Sequence, residues 1–260
     1  MSLVVYKPNL TQLNETLRTL DKALEYANQK AMLVIIDHSP ESAMIALEEL
    51  YQLENAVIKL VRDATNPGFG AGHNRVLDRL GEFHLIINPD LEFEPDSIQA
   101  ALTFMQEHPD CGLLTPYARW QNGLVQPLCK RYPSLIDLLL RGFAPRKVKQ
   151  WFKYRLDRYE LAEQLNATDV YWQPPIVSGC FMMFRGDVLS RLGGFDARFF
   201  LYFEDFDLSL RAGRLTKIAY VPQVRIIHHG GHASRKGGRH VMLFARSMTT
   251  FFNIHGWRLW

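Results

Sequence analysis

Ala56-Val-Ile-Lys-Leu-Val-Arg-Asp-Ala-Thr-Asn-Pro-Gly-Phe-Gly-Ala-Gly-His-Asn74 reads as a strand over 56–61 running into a loop with glycines at 68, 70 and 72. A helix is expected from that loop to Leu80. His84-Leu-Ile-Ile87 is a second strand, closing on Asn88-Pro-Asp90. Upstream, Leu3–Tyr6 is a short strand, and Leu10, Leu13, Leu17, Leu20 and Leu24 recur at helical spacing. Met32–Ile36 is a strand ending at Asp37, and Ser42–Leu53 is expected to be helical. Downstream, Pro95–Glu107 reads as a helix with Asp96 near its start. This alternation implies an α/β fold with a mostly parallel central sheet flanked by crossover helices. In such sheets ligands bind at the carboxyl ends of strands. Asp37, the glycine loop and Asp90 all fall at ends of that kind.

The second half has a different texture. Residues 134–166 read as helical, basic and aromatic, with Trp151, Phe152, Tyr154 and Tyr159. Val177–Phe184 is an apolar strand. The block Gly193-Gly-Phe-Asp-Ala-Arg-Phe-Phe-Leu-Tyr-Phe-Glu-Asp-Phe-Asp207 leads into a helix through Leu208–Ala212. Ile218–Val221 and Val224–Ile227 read as short strands leading to His228, and Val241–Phe252 as a helix. One domain over 1–260 is expected, with a nucleotide-binding half (1–115) and an acceptor-side half (116–260).

Composition bounds the function. The chain has 260 residues and 47% hydrophobic content, enough for a sizeable core without disulfides. The net charge of +3 excludes a global nucleic-acid binder. Bases cluster locally: Arg141 to Arg158 holds seven Lys or Arg against the single acid Asp157, and Arg235, Lys236 and Arg239 follow later. Such a patch suits an anionic surface or a phosphorylated ligand. The alternative is a solvated helix packing its aromatics inward. Cys111, Cys129 and Cys180 form no C-x-x-C, which favours reduced thiols in a cytoplasmic setting. No run approaches a membrane span, and the first residues lack the features of a cleaved leader. A cytoplasmic protein, soluble or peripheral on the inner face of the membrane, is expected.

Several residues could carry chemistry. Asp37 could accept hydrogen bonds from a nucleobase or ribose, or could simply shape a turn. The glycines allow backbone to approach a ligand and offer N–H groups to phosphate; their spacing is G-x-G-x-G, which argues against a dinucleotide fingerprint. Asp90 offers the hard oxygen that Mg²⁺ or Mn²⁺ prefers, with diphosphate oxygens and waters completing the shell. Glu204, Asp205 and Asp207 sit among Phe199, Phe200, Tyr202, Phe203 and Phe206. Acids in a first helical turn are stabilised by the dipole, but an apolar setting also raises a carboxyl toward the range of a useful base. His228, His229 and His232 follow a strand, where an imidazole could complete a metal site or meet a diphosphate.

Taken in order, Val34-Ile-Ile-Asp37, Asn66–Asn74, Ile87-Asn-Pro-Asp90, Ser178-Gly-Cys-Phe-Met-Met-Phe-Arg185, Gly193-Gly-Phe-Asp196, Phe199–Leu208 and Tyr220-Val-Pro222 resemble the family 2 inverting glycosyltransferases of the GT-A fold. The Asn-Pro-Asp form and the phenylalanine-rich Glu-Asp block look most like the rhamnosyltransferase branch that includes O-antigen enzymes. The sequence departs from the usual pattern in having Asp37-His38 for Asp-Asn and Tyr6-Lys-Pro for Ser-Tyr-Asn. The resemblance implies a nucleotide-diphosphate sugar donor, dTDP-rhamnose, and a saccharide acceptor carried on a lipid. It implies nucleotide contacts from Asp37, Gly72, His73, Asn74 and Asn88. It implies a divalent metal, Mg²⁺ or Mn²⁺, at Asp90 with His228. It makes Asp205 the base, with Glu204 beside it. The alternatives are a UDP- or GDP-sugar donor, a non-catalytic nucleotide-sugar-binding protein of the same fold, and a dinucleotide-dependent oxidoreductase, which leaves the Glu204–Asp207 cluster without a role.

Overall fold

In a computed structural model that describes residues 1–230 and 238–260, the expected alternation is present. The first half runs β1 (Ser2–Val5), α1 (Leu10–Tyr26), β2 (Ala31–Asp37), β3 (Ala56–Arg62), α2 (Phe69–His73), β4 (Phe83–Ile87), β5 (Leu91–Phe93) and α3 (Ser97–Glu107). Then come β6 (Cys111–Arg119), β7 (Val125–Gln126) and β8 (Cys129–Lys130), followed by α4 (Leu135–Phe143), α5 (Arg146–Trp151) and α6 (Lys153–Tyr159). The chain continues with β9 (Tyr171–Trp172), β10 (Ile176–Val177), β11 (Phe181–Arg185), α7 (Gly186–Leu192), α8 (Glu204–Gly213), β12 (Lys217–His228) and α9 (Gly238–His255).

Among the described residues ten strands form the central sheet, eight along the path β3-β2-β1-β4-β11-β6-β12-β5, with β7 paired to β6 and β9 to β12. The pairings of β1 with β2 and β4, of β2 with β3 and of β6 with β12 are parallel. β11 is antiparallel to both β4 and β6, so a strand from the second half is stitched into the middle of the sheet. This is the α/β GT-A arrangement. Leu13, Leu17 and Leu20 of α1 are fully buried against the sheet, as their spacing requires. The same helix turns two hydroxyls onto β5: Thr16 Oγ1 accepts from Leu91 N at 3.0 Å and Thr19 Oγ1 from Phe93 N at 3.2 Å. Those bonds fix the chain just past Asp90.

Three expectations about elements fail, each for a local reason. Ser42–Leu53 holds no α-helix, only 3-10 turns at Glu41–Ala43 and Leu47–Glu49. Side chains elsewhere take up its backbone groups: Asp37 accepts from Ile45 N, and Asn14 accepts from Tyr51 N and donates to Glu49 O. Val177–Phe184 is two strands, because residues 178–180 leave the ladder between β10 and β11. Ile218–Ile227 is one strand instead of two, with its register shift between Val221 and Arg225, around Pro222.

Candidate active site

The acids of the aromatic block are separated by the way α8 begins. Tyr202 and Phe203 have φ of +71° and +65°, a region costly for bulky residues. Packing holds the turn: the Phe203 ring lies 5.0, 5.1 and 5.3 Å from Phe206, Phe244 and Phe251. Out of this turn the three carboxylates take different environments.

Asp205 is half-buried. Its Oδ2 accepts from Gly179 N at 2.9 Å and its Oδ1 from Phe206 N at 3.0 Å. Burial raises its pKa, against the opposing pull of the Gly179 N–H and the Lys130 ammonium. Lys130, buried on β8, lies over Phe206 with Nζ 5.8 Å from the ring centroid. Glu204 is almost fully buried, and among the described residues its Oε2 has no hydrogen-bond partner. Its pKa is raised strongly, by burial first and by Asp205 second. Asp207, also buried, is fully paired: it accepts from Arg211 Nε and from His255 Nε2, both at 2.8 Å. Arg211 in turn donates to the Leu192 and Gly194 carbonyls, which ties α8 to the Gly193-Gly-Phe195 turn.

Glu204 makes a pH prediction. A carboxyl whose folded pKa exceeds its ordinary 4.5 lets the native state hold a proton that the unfolded chain has lost. Its contribution to stability therefore falls as pH rises from 4.5 through the raised value and is level above it. Glu204→Gln should raise the melting temperature at pH 7.5, with the gain shrinking as the pH falls toward 4.5. Thermal melts across that range check it.

On the other side of the cleft, Asp90 and His228 come together: Asp90 Oδ1 and His228 Nε2 are 3.4 Å apart. Both atoms are buried and, among the described residues, neither has a hydrogen-bond partner. Gly230 leaves room above them, since a Cβ there would lie 2.3 Å from Asp90 Oδ2. Gln126 Oε1 meets His228 Nδ1 at 3.1 Å and can hold the ring with Nε2 directed at Asp90. Burial works against a charged His228, yet Cys180 and Asp90 outweigh it and lift its pKa to about 10. With His228 Nε2 deprotonated, the Asp90 oxygen and the His228 nitrogen suit a divalent cation as two of its ligands. No third protein ligand joins them among the described residues, so the rest of a shell would come from phosphate oxygens and water. His229 is turned away and bonds Glu92 Oε1 at 2.7 Å. His232, Arg235 and Lys236 lie outside the described residues.

Two consecutive residues join these clusters. Gly179 donates its N–H to Asp205, and Cys180 accepts through its carbonyl from Asn88 N at 2.9 Å. A Cβ at Gly179 would lie 3.2 Å from the Asp205 Cβ, so glycine keeps this approach open. The break between β10 and β11 thus places Asp205 and the Asn88–Asp90 turn on either side of one short backbone segment.

The residues expected to contact the nucleotide each have partners within the chain. Asp37 is fully buried, and its two oxygens accept from Ser39 N and Ile45 N, both at 2.8 Å, which shapes the loop after β2. His73 faces inward, where Ser2 Oγ meets His73 Nδ1 at 2.8 Å and His84 Nε2 at 2.9 Å. Burial and the neighbouring His84 keep it neutral. Asn74 clamps Phe195 through both ends of its amide, donating to the carbonyl at 2.7 Å and accepting from the N–H at 2.8 Å. Gly72 packs against Val4 and His38, where a Cβ would meet atoms at 2.7 and 2.8 Å.

The open surface lies one turn earlier. A cavity of about 230 Å³ is lined by Val5, Tyr6, His38, Asn66, Gly68 and Phe69, with Phe200 and Arg239 from the second half. It sits at the carboxyl ends of β1 and β2. The departures Tyr6-Lys-Pro and Asp37-His38 were therefore the signal for these residues, whereas Lys130 and Gln126 belong to no motif. Gly68 has φ +108°, and a Cβ there would fall 2.2 Å from Phe200 O. Gly68→Ala should cost about 2–3 kcal/mol of stability, readable by urea denaturation, and should weaken nucleotide binding.

With the sheet, the cleft at its strand ends and the two acidic clusters in place, the molecule is an α/β protein of the GT-A class. Residues 8–193 match the profile described as Glycosyl transferase family 2. The chain belongs to glycosyl transferase family 2. It is 32% identical over 195 residues to the N-acetylglucosaminyl-diphospho-decaprenol L-rhamnosyltransferase of Mycobacterium tuberculosis, covering 68% of this chain and 60% of that one. It is 23% identical over 180 residues to the rhamnosyltransferase WbbL of Escherichia coli, covering 65% of this chain and 63% of that one. The chain thus spans less than two thirds of the length of either relative. Among solved structures, the mannosyltransferase PcManGT of Pyrobaculum calidifontis, in complex with GDP-Man and Mn²⁺, matches with a TM-score of 0.59 at 16% identity, over 97% of this chain and 63% of that one. TarS of S. aureus with UDP matches with a TM-score of 0.53 at 16% identity, over 97% and 65%. These structures share the fold.

Proposed function

We propose that the protein is an inverting glycosyltransferase that moves rhamnose from dTDP-rhamnose to a saccharide acceptor carried on a lipid, in cell-surface polysaccharide synthesis. The observation that carries this reading is the Gly179–Cys180 segment, which has a carboxylate of raised pKa on one side and the turn leading to the Asp90–His228 couple on the other. The rhamnosyltransferase relatives support the sugar. The whole chain serves as one unit, with residues 1–115 chiefly binding nucleotide and residues 116–260 facing the acceptor. We place it in the cytoplasm, working at the inner face of the membrane. Among the described residues no helix is long and apolar enough to cross a membrane.

In this reading Asp205 takes the proton from the acceptor hydroxyl as that oxygen attacks the anomeric carbon. Gly179 N–H and the helix start hold the carboxylate in place, and burial keeps its pKa above that of a free aspartate. Asp90 and His228 would hold a divalent cation, which would supply charge neutralisation for the leaving diphosphate. Asn88 and the cavity beside Tyr6, His38 and Asn66 take the nucleotide. Glu204, beside the base, discourages ionisation of both acids at once. The test is a donor panel of dTDP-, UDP- and GDP-sugars with a lipid-linked acceptor, following nucleotide diphosphate release with and without Mn²⁺. Release from dTDP-rhamnose that needs acceptor and cation supports the assignment. A preference for a UDP- or GDP-sugar replaces the donor, and binding without release favours a non-catalytic sugar-nucleotide binder.

A further inference from the structure

A concentration of positive charge lies away from the metal and nucleotide residues. A cavity of about 470 Å³ opens between β8, α4, α6 and residues 256–260. Arg131, Arg155, Arg158 and Arg258 all line it, and Asp137 is its one acid. Asp137 is already engaged: it accepts from Arg155 Nε at 2.6 Å and caps α4 together with Ser134. Among the described residues no Asp or Glu lies within ion-pair distance of Arg131, Arg158 or Arg258, although Arg258 Nε donates to Trp260 O at 3.3 Å. Guanidiniums lining a hollow whose one acid is already engaged form a site for an anion with several oxygens, which guanidinium forks bind in pairs.

The walls are built, not draped. Tyr132 donates to Gly256 O at 2.5 Å, Leu135 N to Arg258 O at 2.8 Å, and Arg131 Nε to Arg158 O at 3.1 Å. Arg155 stacks on Trp260 at 4.5 Å. Beside the charges lies exposed apolar surface. Trp151 and Tyr154 are 82% and 76% exposed, and Trp260 and Leu259 are 69% and 63% exposed. Trp151 and Tyr154 of the basic segment therefore face outward, whereas Tyr159 is buried, so the alternative of inward packing describes only part of the segment. A cationic hollow with an apolar apron fits an amphiphile with an anionic head.

Position adds the last point. Lys130 and Arg131 are consecutive: the first lies over the ring of Phe206, next in sequence to Asp205, and the second lines the cavity. Pro175 lines the cavity and Gly179 bonds Asp205, so the two sites lie about 13 Å apart along an extended chain.

We propose that this cavity binds the diphosphate of an isoprenoid-diphosphate-linked acceptor, with its hydrocarbon on the Trp151–Tyr154–Trp260 surface and its sugar toward Asp205. The inference rests on the transferase reading, but its test does not require turnover. Farnesyl diphosphate, inorganic pyrophosphate, phosphatidylglycerol vesicles and dTDP are each titrated against the wild type and Arg131→Gln/Arg158→Gln. Farnesyl diphosphate should bind the wild type and lose about tenfold or more in the double variant. Pyrophosphate should bind more weakly than farnesyl diphosphate, and dTDP equally to both proteins. Equal farnesyl diphosphate affinity in the two proteins overturns the proposal, as does pyrophosphate binding as tightly as farnesyl diphosphate. Vesicle binding that depends on the two arginines while farnesyl diphosphate binding does not would assign the cavity to headgroups and also overturn it. Should the double variant lose dTDP binding as well, Trp260→Ala on the surface decides: it should weaken farnesyl diphosphate and leave pyrophosphate unchanged, and no effect on either counts against the proposal. An inactive donor panel with these affinities intact would sink the transferase reading and leave the site standing.

Discussion

Asp205→Asn is expected to lower turnover by about 10²–10⁴-fold, the range for removing a general base, with little change in donor affinity. The amide keeps the shape and can still accept from Gly179 N, so the start of α8 should survive. What it loses is the capacity to hold the acceptor proton. The raised pKa of Asp205 means that wild-type activity should fall in acid at a pH above that of a free aspartate. Asp205→Asn should flatten that acid limb as well as lower the rate. Steady-state rates from pH 4.5 to 8 with saturating donor separate the two effects. A low rate with an unchanged acid limb would point to a structural role instead.

Asp207→Ala, two residues on, should act on stability and reach catalysis only through it. Asp207 is 1% exposed and accepts from both Arg211 and His255, so truncation removes the counter-charge of Arg211 and the acceptor of His255. Removing one member of such a network costs about 3 kcal/mol. The lower end of the usual range applies because the Arg211 side chain keeps 25% exposure. The loss should appear as a lower urea midpoint, with Asp207→Asn losing less because its amide oxygen still accepts. Opposite outcomes for two acids in one helical turn would separate the working carboxylate from the structural one.

Much of the first half was legible in the sequence because each strand is a short apolar run ended by a polar or glycine-rich turn. The leucines of α1 carry a helical period that packing enforces. Ser42–Leu53 misled because its apparent helix competes with Asp37 and Asn14, distant side chains that capture its backbone. The pairing of Asp90 with His228 could be anticipated only through resemblance, since 138 positions of chain separate two residues that the β5–β12 pairing brings together. The nucleotide residues show the reverse case. Asp37, His73 and Asn74 look available in a motif, yet burial of the first two and the Asn74 bonds to Phe195 engage each within the chain, while Tyr6 and Asn66 line the neighbouring cavity. The basic cavity depends on residues from 131 to 260 meeting, which no local pattern encodes.

A single displacement at the anomeric carbon with Asp205 as base inverts the sugar. The anomeric configuration of the linkage formed from dTDP-rhamnose on a lipid-linked acceptor, read by nuclear magnetic resonance of the product, tests this. The expected product has a configuration opposite to that of the donor, with no product accumulating in Asp205→Asn over the same interval. A retained configuration, or product formed by Asp205→Asn at the wild-type rate, would contradict it.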